Sequence, residues 1–251
     1  PTSSRPYSTP LALTKTVTRK QKKTEMKKYY ILILTVLILI GCKGINSTNN
    51  IQKNKVEINE EIIIELREMA KIDQIAAYIP QGKYEKLSQE EWNSFKDSVF
   101  KSNQLKAEQI FDQHGFLGYD LVGKRGSQDF WLLVQHSDHN PEFQNEVLEK
   151  MKIEVDKNNA DGSNYALLTD RVKINTGQKQ IYGTQVDYNF KIAQAFPKNL
   201  ADSANVNQRR KSVGLEPIEI YLNSMSEMNF EMNKNGYLKN GIKGPKLYIV
   251  D

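Results

Sequence analysis

Residues 127–143 read SQDFWLLVQHSDHNPEF. Phe130-Trp131-Leu132-Leu133-Val134 is apolar on nearly every side, which fits a helix buried around most of its circumference. Ser127 is a candidate N-cap, so the expected helix runs from Gln128 to about Ser137. Asn140-Pro141 then supplies a cap followed by proline at the first helical position, an arrangement that opens a new helix. Phe143, Val147, Leu148, Met151 and Val155 recur along that second helix at helical spacing. A buried central helix, a polar turn and an amphipathic helix together predict a helical domain.

Working outward, the neighbouring segments repeat the helical period. Ile58, Ile62, Leu66, Met69, Ile72, Ile75 and Ala76 predict a helix from Val56 to about Tyr78. Its first turn is acidic, and Pro80-Gln81-Gly82 stops it. Ser88-Gln89-Glu90-Glu91 reads as a capping box for a helix whose apolar stripe is Trp92, Phe95, Val99, Leu105, Ile110 and Phe111. Gly115 and Gly118 end that helix, and a loop is expected from Gly118 to Gly126. On the C-terminal side, Ser163 is a candidate cap for a helix to about Ile174. Ala204–Val213 and Pro217 to about Asn233 are two further helices. The single β signal is the alternation of Gln180–Tyr188, which Phe190–Phe196 can join as a hairpin. The expected fold class is therefore mainly α (α+β): a multi-helix single domain over residues 56–233 with one small β-hairpin. The tail, residues 234–251, reads as weakly structured.

The stretch ahead of the domain has a different character. Met26-Lys27-Lys28 provides a positive start, and Tyr29–Ile40 is apolar apart from Thr35. As a helix this run spans ~18 Å, short of the ~30 Å hydrocarbon core, so it reads as the apolar region of a signal peptide. Leu39-Ile40-Gly41-Cys42 then resembles the lipobox of bacterial lipoproteins. That resemblance implies a signal peptide over 26–41, lipid on Cys42 and attachment to a membrane of the bacterial envelope on its extracytoplasmic side. Residues 42–55 are polar and Asn-rich and suit a flexible tether. Residues 1–25 lack an apolar period and are set aside as upstream sequence.

Composition narrows the function. The formal charge of +5 suggests a polyanion partner, but eight of 35 Lys and Arg residues and one of 30 acids lie in 1–41. From Cys42 onward there remain 27 basic and 29 acidic residues. The basic excess belongs to the leader, so nucleic acid is not an expected partner. One cysteine excludes an intrachain disulfide, a Cys-based zinc site and a redox pair. No Gly-x-Ser-x-Gly elbow or P-loop is present.

Several longer runs resemble an uncharacterised bacterial family, the domain of unknown function 6624. They are Leu121-Val122-Gly123, Trp131–Phe143, Leu168-Thr169-Asp170-Arg171-Val172, Gln180 with Tyr182-Gly183-Thr184-Gln185, Asn205–Arg210 and Val213–Pro217. The resemblance covers roughly residues 60–228 and implies no particular reaction.

The residues able to carry chemistry fall mostly in these runs. Gln135-His136-Ser137-Asp138-His139 is the densest polar cluster. His136 and His139 can share a helical face and ligate one metal, although the pair lacks the Glu and spacing of the zincin motif. They equally suit a helix C-terminus, where imidazoles meet the negative end of the dipole. Asp170-Arg171 interrupts an apolar helix as a site pair or a structural ion pair. Tyr182, Thr184 and Gln185 offer polar groups beside Gly183, which admits a ligand or allows a bulge. Arg209 and Arg210 are candidate carboxylate or phosphate ligands, or a solvated helix face. His114 reads as structural.

Two functions follow. The first is an envelope domain binding a small molecule or an envelope partner through Gln135, Tyr182, Thr184, Gln185, Arg209 and Arg210. The alternative is an envelope hydrolase with His136, Asp138, Asp170 and Arg171 at its centre, with or without the assistance of a metal; the sequence names no cofactor. A third role, a structural scaffold, would present an exposed apolar patch. Catalysis requires His136, Asp170, Arg171, Tyr182 and Gln185 to converge on one pocket.

Overall fold

A computed structural model describes residues 58–250, and the leader, Cys42 and the tether fall outside the described residues. The described residues lie within one compact unit. Its helices are α1 (Glu60–Ala77), α2 (Gln89–His114), α3 (Tyr119–Gln135), α4 (Pro141–Asp156), α5 (Gly162–Asn175), α6 (Val206–Ser212), α7 (Ile218–Met232) and α8 (Lys234–Lys239). Between α5 and α6 lies one antiparallel hairpin, β1 (Val186–Asn189) with β2 (Gln194–Pro197), pairing Val186 with Pro197 and Asn189 with Gln194. The mainly helical class with a single small hairpin is what the sequence implied. Among the described residues no helix is long and apolar enough to cross a membrane.

Capping chemistry sets most boundaries. Asn59 caps α1 by accepting from the Ile62 N–H, and Asn140 caps α4 by accepting from that of Phe143. Ser88 and Glu91 form a reciprocal capping box at the start of α2. The exposed Glu91 carboxyl titrates below its ordinary range, chiefly because the Ser88 backbone N–H donates to it. At α5 the cap is Asp161, two residues before the expected Ser163.

The principal core packs α1 to α5 around α3. Phe130 is fully buried, with Phe111 and Phe116 at ring-centroid distances of 6.5 and 5.8 Å. A second cluster, Ala195, Val206, Ile218 and Leu222, joins the hairpin to α6 and α7.

Five expectations change. The loop expected over Gly118–Gly126 is the start of α3, broken only at Gly123, whose φ of 68° suits a residue without Cβ. Ser127 is therefore a buried position inside the helix and not its cap. Leu105 is 58% exposed, while Asn103 and Gln104 are buried. The buried face of α2 runs through Asn103, Ala107 and Ile110 at steps of four and three, and Leu105 lies about 200° around the helix from Ala107. The expected long strand shrinks to β1, and Gln180–Gln185 is a pinned loop. The tail after Asn233 is tied down by α8, where Tyr237 stacks on Phe230 at 5.4 Å, and by Tyr248, whose hydroxyl donates to the Ala195 carbonyl.

Candidate functional site

The residues singled out in the sequence divide into three separate polar groups. The first is built on Asp170, which is completely buried on α5. Its Oδ1 accepts from the backbone N–H of Ile181 and Tyr182, and its Oδ2 from the N–H and hydroxyl of Thr184 at 2.9 and 3.0 Å. A carboxylate satisfied in this way fixes a loop; it has no lone pair left to take a proton from a substrate. Gly183 sits inside the loop at φ 72°, and a Cβ there would meet Ile218 Cδ1 at 2.5 Å.

The two arginines close the same loop from outside. Arg209 donates to the carbonyls of Ile181, Ala201 and Asp202. Arg210 is 1% exposed, donates to the carbonyls of Tyr182 and Glu216, and lies over the Tyr221 ring. Burial lowers the Arg210 pKa from its ordinary value. Gln180 is fully buried and brackets Gln185, accepting from its N–H and donating to its carbonyl. The Tyr221 hydroxyl donates to the Thr184 carbonyl. Four of the runs that resemble one family thus meet as one polar lock. Neither arginine is a solvated face, and both guanidinium groups are engaged by backbone carbonyls.

In the second group Asp138 and Arg171 form a bidentate pair, Nε to Oδ1 at 2.8 Å and Nη2 to Oδ2 at 2.6 Å. Asn175 donates to the same carboxylate at 2.9 Å. This pair ties the turn after α3 to α5, and Asp170 faces the Gln180–Gln185 loop ahead of β1 instead. Gln135 is half-buried; its carbonyl accepts from Gln144, and its side-chain oxygen is buried without a partner among the described residues.

His136 belongs to the third group, with a residue the sequence reading passed over. Its Nδ1 is in direct hydrogen-bond contact with Oδ1 of Asp73 on α1, which is fully buried. Asn103 Nδ2 of α2 lies 3.4 Å from Asp73 Oδ2 and 3.3 Å from the Met69 carbonyl. Phe100 packs against the imidazole at 5.3 Å. A neutral imidazole donating from Nδ1 keeps the lone pair on Nε2, so the contact fixes both tautomer and ring orientation. The signal for Asp73 was available: it occupies the buried stripe of α1 between Met69 and Ala76, the one acid on that face. His139 is exposed and does not share this contact. Among the described residues, no group of three or more His, Cys, Asp and Glu side chains is placed to hold a metal ion.

One helical turn before His136, a cleft of about 680 Å³ opens between α1 and α3. Arg67, Lys71 and Gln74 line one side, Arg125, Gln128 and Asp129 the other, with Ala70 and Leu132 between them. Asp129 has a side chain only 3% exposed and holds Arg125 Nε at 3.0 Å. Lys71 is paired with Glu68 on the helix surface. The cleft combines apolar contact, two amides and three cations.

Residues 60–232 match the model of a Family of unknown function (DUF6624), a span covering every helix from α1 to α7. No curated protein and no solved structure matches the chain.

Proposed function

The chain belongs to the Family of unknown function (DUF6624), and on that premise we propose that it is a lipid-anchored bacterial envelope protein whose domain binds a small ligand between α1 and α3. The reading is carried by the α1–α3 cleft, which has the size and the mixture of apolar and convergent polar groups of a ligand site. By contrast, the Thr184 hydroxyl and the guanidinium groups of Arg209 and Arg210 are committed to the polar lock, which also holds the backbone of Tyr182 and Gln185. Support for the anchor is the order of charge, apolar run and cysteine over Met26–Cys42.

Thermal-shift screening of the full chain against small molecules of mixed charge tests the binding reading. Compounds that raise the melting temperature of the parent should lose their effect in Gln74→Trp, which fills the cleft from α1. Hits that act equally on both proteins would overturn it. For the anchor, the parent should enter the detergent-rich phase on partition and Cys42→Ala the aqueous phase; identical partition overturns that part.

A second reading has its own observation, the Asp73–His136 contact. An imidazole oriented by a buried carboxylate is built to accept a proton at Nε2 from an attacking water. The site is then a hydrolase in which Asp73, rather than Asp138, Asp170 or Arg171, stands behind His136. Hydrolysis of ester or phosphoester probes that vanishes in His136→Gln but survives Arg171→Gln supports it; activity indifferent to His136 sinks it.

A further inference from the structure

We infer that the α1–α3 cleft is an oxyanion site, selecting ligands that carry carboxylate or phosphate groups, with Arg67 as the principal contact. The inference rests on the cleft being the ligand site and adds its chemistry. Arg67 and Lys71 are four residues apart on α1 and so lie on one helical face, while Arg125 approaches from α3. Three cations therefore surround one opening, against a single lining carboxylate, Asp129.

The pairing of those cations divides their roles. Lys71 has Glu68 beside it, and Arg125, which lines the cleft, is held by Asp129 through Nε, with no hydrogen bond to its outer nitrogens among the described residues. The Asp129 contact acts as a positioning bond: it orients a guanidinium that is otherwise 75% exposed. Among the described residues Arg67 has no carboxylate partner, so its planar fork is free for bidentate contact with an oxyanion. Gln74 and Gln128 add amide donors on the two sides. The concentration of positive charge is not a general property of the chain, since from Cys42 onward acids outnumber bases, 29 to 27.

The same chemistry suits two sources, a soluble anion or the phosphate of a lipid headgroup at the membrane to which Cys42 would tether the domain. Titration of the detergent-solubilised full chain with citrate, inorganic phosphate, glycerol as the neutral control and phosphatidylglycerol micelles separates them. Citrate or phosphate should bind saturably, and Arg67→Gln, at a position exposed enough to spare the fold, should weaken that binding about tenfold or more. Lys71→Gln, as a second variant, should weaken it less. Binding confined to the anionic micelles, with the same loss in Arg67→Gln, supports the site and assigns the anion to a headgroup. Cleft binding by neutral compounds only, or anion binding unchanged in Arg67→Gln, overturns the oxyanion inference and leaves the binding reading standing. If no compound of any charge depends on Gln74→Trp, both fail.

Discussion

At the scale of single residues, the chain separates acids and bases that hold the fold from those left able to react. Asp170 accepts from three backbone N–H groups and a hydroxyl. Asp170→Ala should therefore cost about 3 kcal/mol or more in urea unfolding, because several buried donors lose their acceptor together. Asp170→Asn, which keeps one oxygen, should cost less. Asp170 stood out in the sequence as an acid inside an apolar helix, but its role did not. Its partners are backbone groups up to 14 residues away, and no side-chain spacing reveals them. Asp73 is the converse case. It lies on the stripe of α1 that the apolar period picks out, as the one acid among its hydrophobic members. His136→Ala should destabilise the domain by about 3 kcal/mol by leaving the Asp73 carboxylate buried beside Asn103 alone.

At the scale of elements, local chemistry was legible where the signal lay within four residues. The Ser88–Glu91 box and the Asn140-Pro141 start could be read directly, and both form. Ser88→Ala should cost about 1 kcal/mol, measured as a shifted urea midpoint at constant m-value. Where the signal depends on what packs against the element, the sequence was less informative. The glycines of Gly118–Gly126 suggest a loop, yet after the extended cap residue Gly118 only Gly123 leaves the helical region. Gly123→Ala, forced to φ 68°, should be destabilising by about 1 kcal/mol. The alternation of Gln180–Tyr188 suggested a longer strand than forms, because Asp170, Gln180 and the two arginines hold half of it as a loop.

At the scale of the whole molecule, the polar lock joins α5, the Gln180–Gln185 loop, α6 and α7, and so couples the helical core to the smaller apolar cluster. Its titration gives a pH signature. The Tyr182 hydroxyl is pushed up from 10.0 to about 12, first by burial and then by Tyr165 and Asp170, with Arg209 opposing. The neutral phenol is thus favoured in the fold, so its contribution is complete below pH 10 and lost as pH rises towards 12. The melting temperature should fall across that window, and less steeply in Tyr182→Phe. The hydrolase quartet drawn from the sequence does not assemble, because neighbours in the chain, such as Asp170 and Arg171, leave a helix in different directions. What remains is a division of labour: the runs around Asp170, Gln180–Gln185, Arg209-Arg210 and Glu216 build the lock, and the α1–α3 cleft is the part offered to a ligand. Hydrogen–deuterium exchange of the full chain with and without a stabilising compound tests that division most directly. The account predicts slowed exchange at residues 67–74 and 125–136 with Tyr182–Gln185 unchanged; protection confined to Tyr182–Gln185 and Arg209-Arg210 would contradict it.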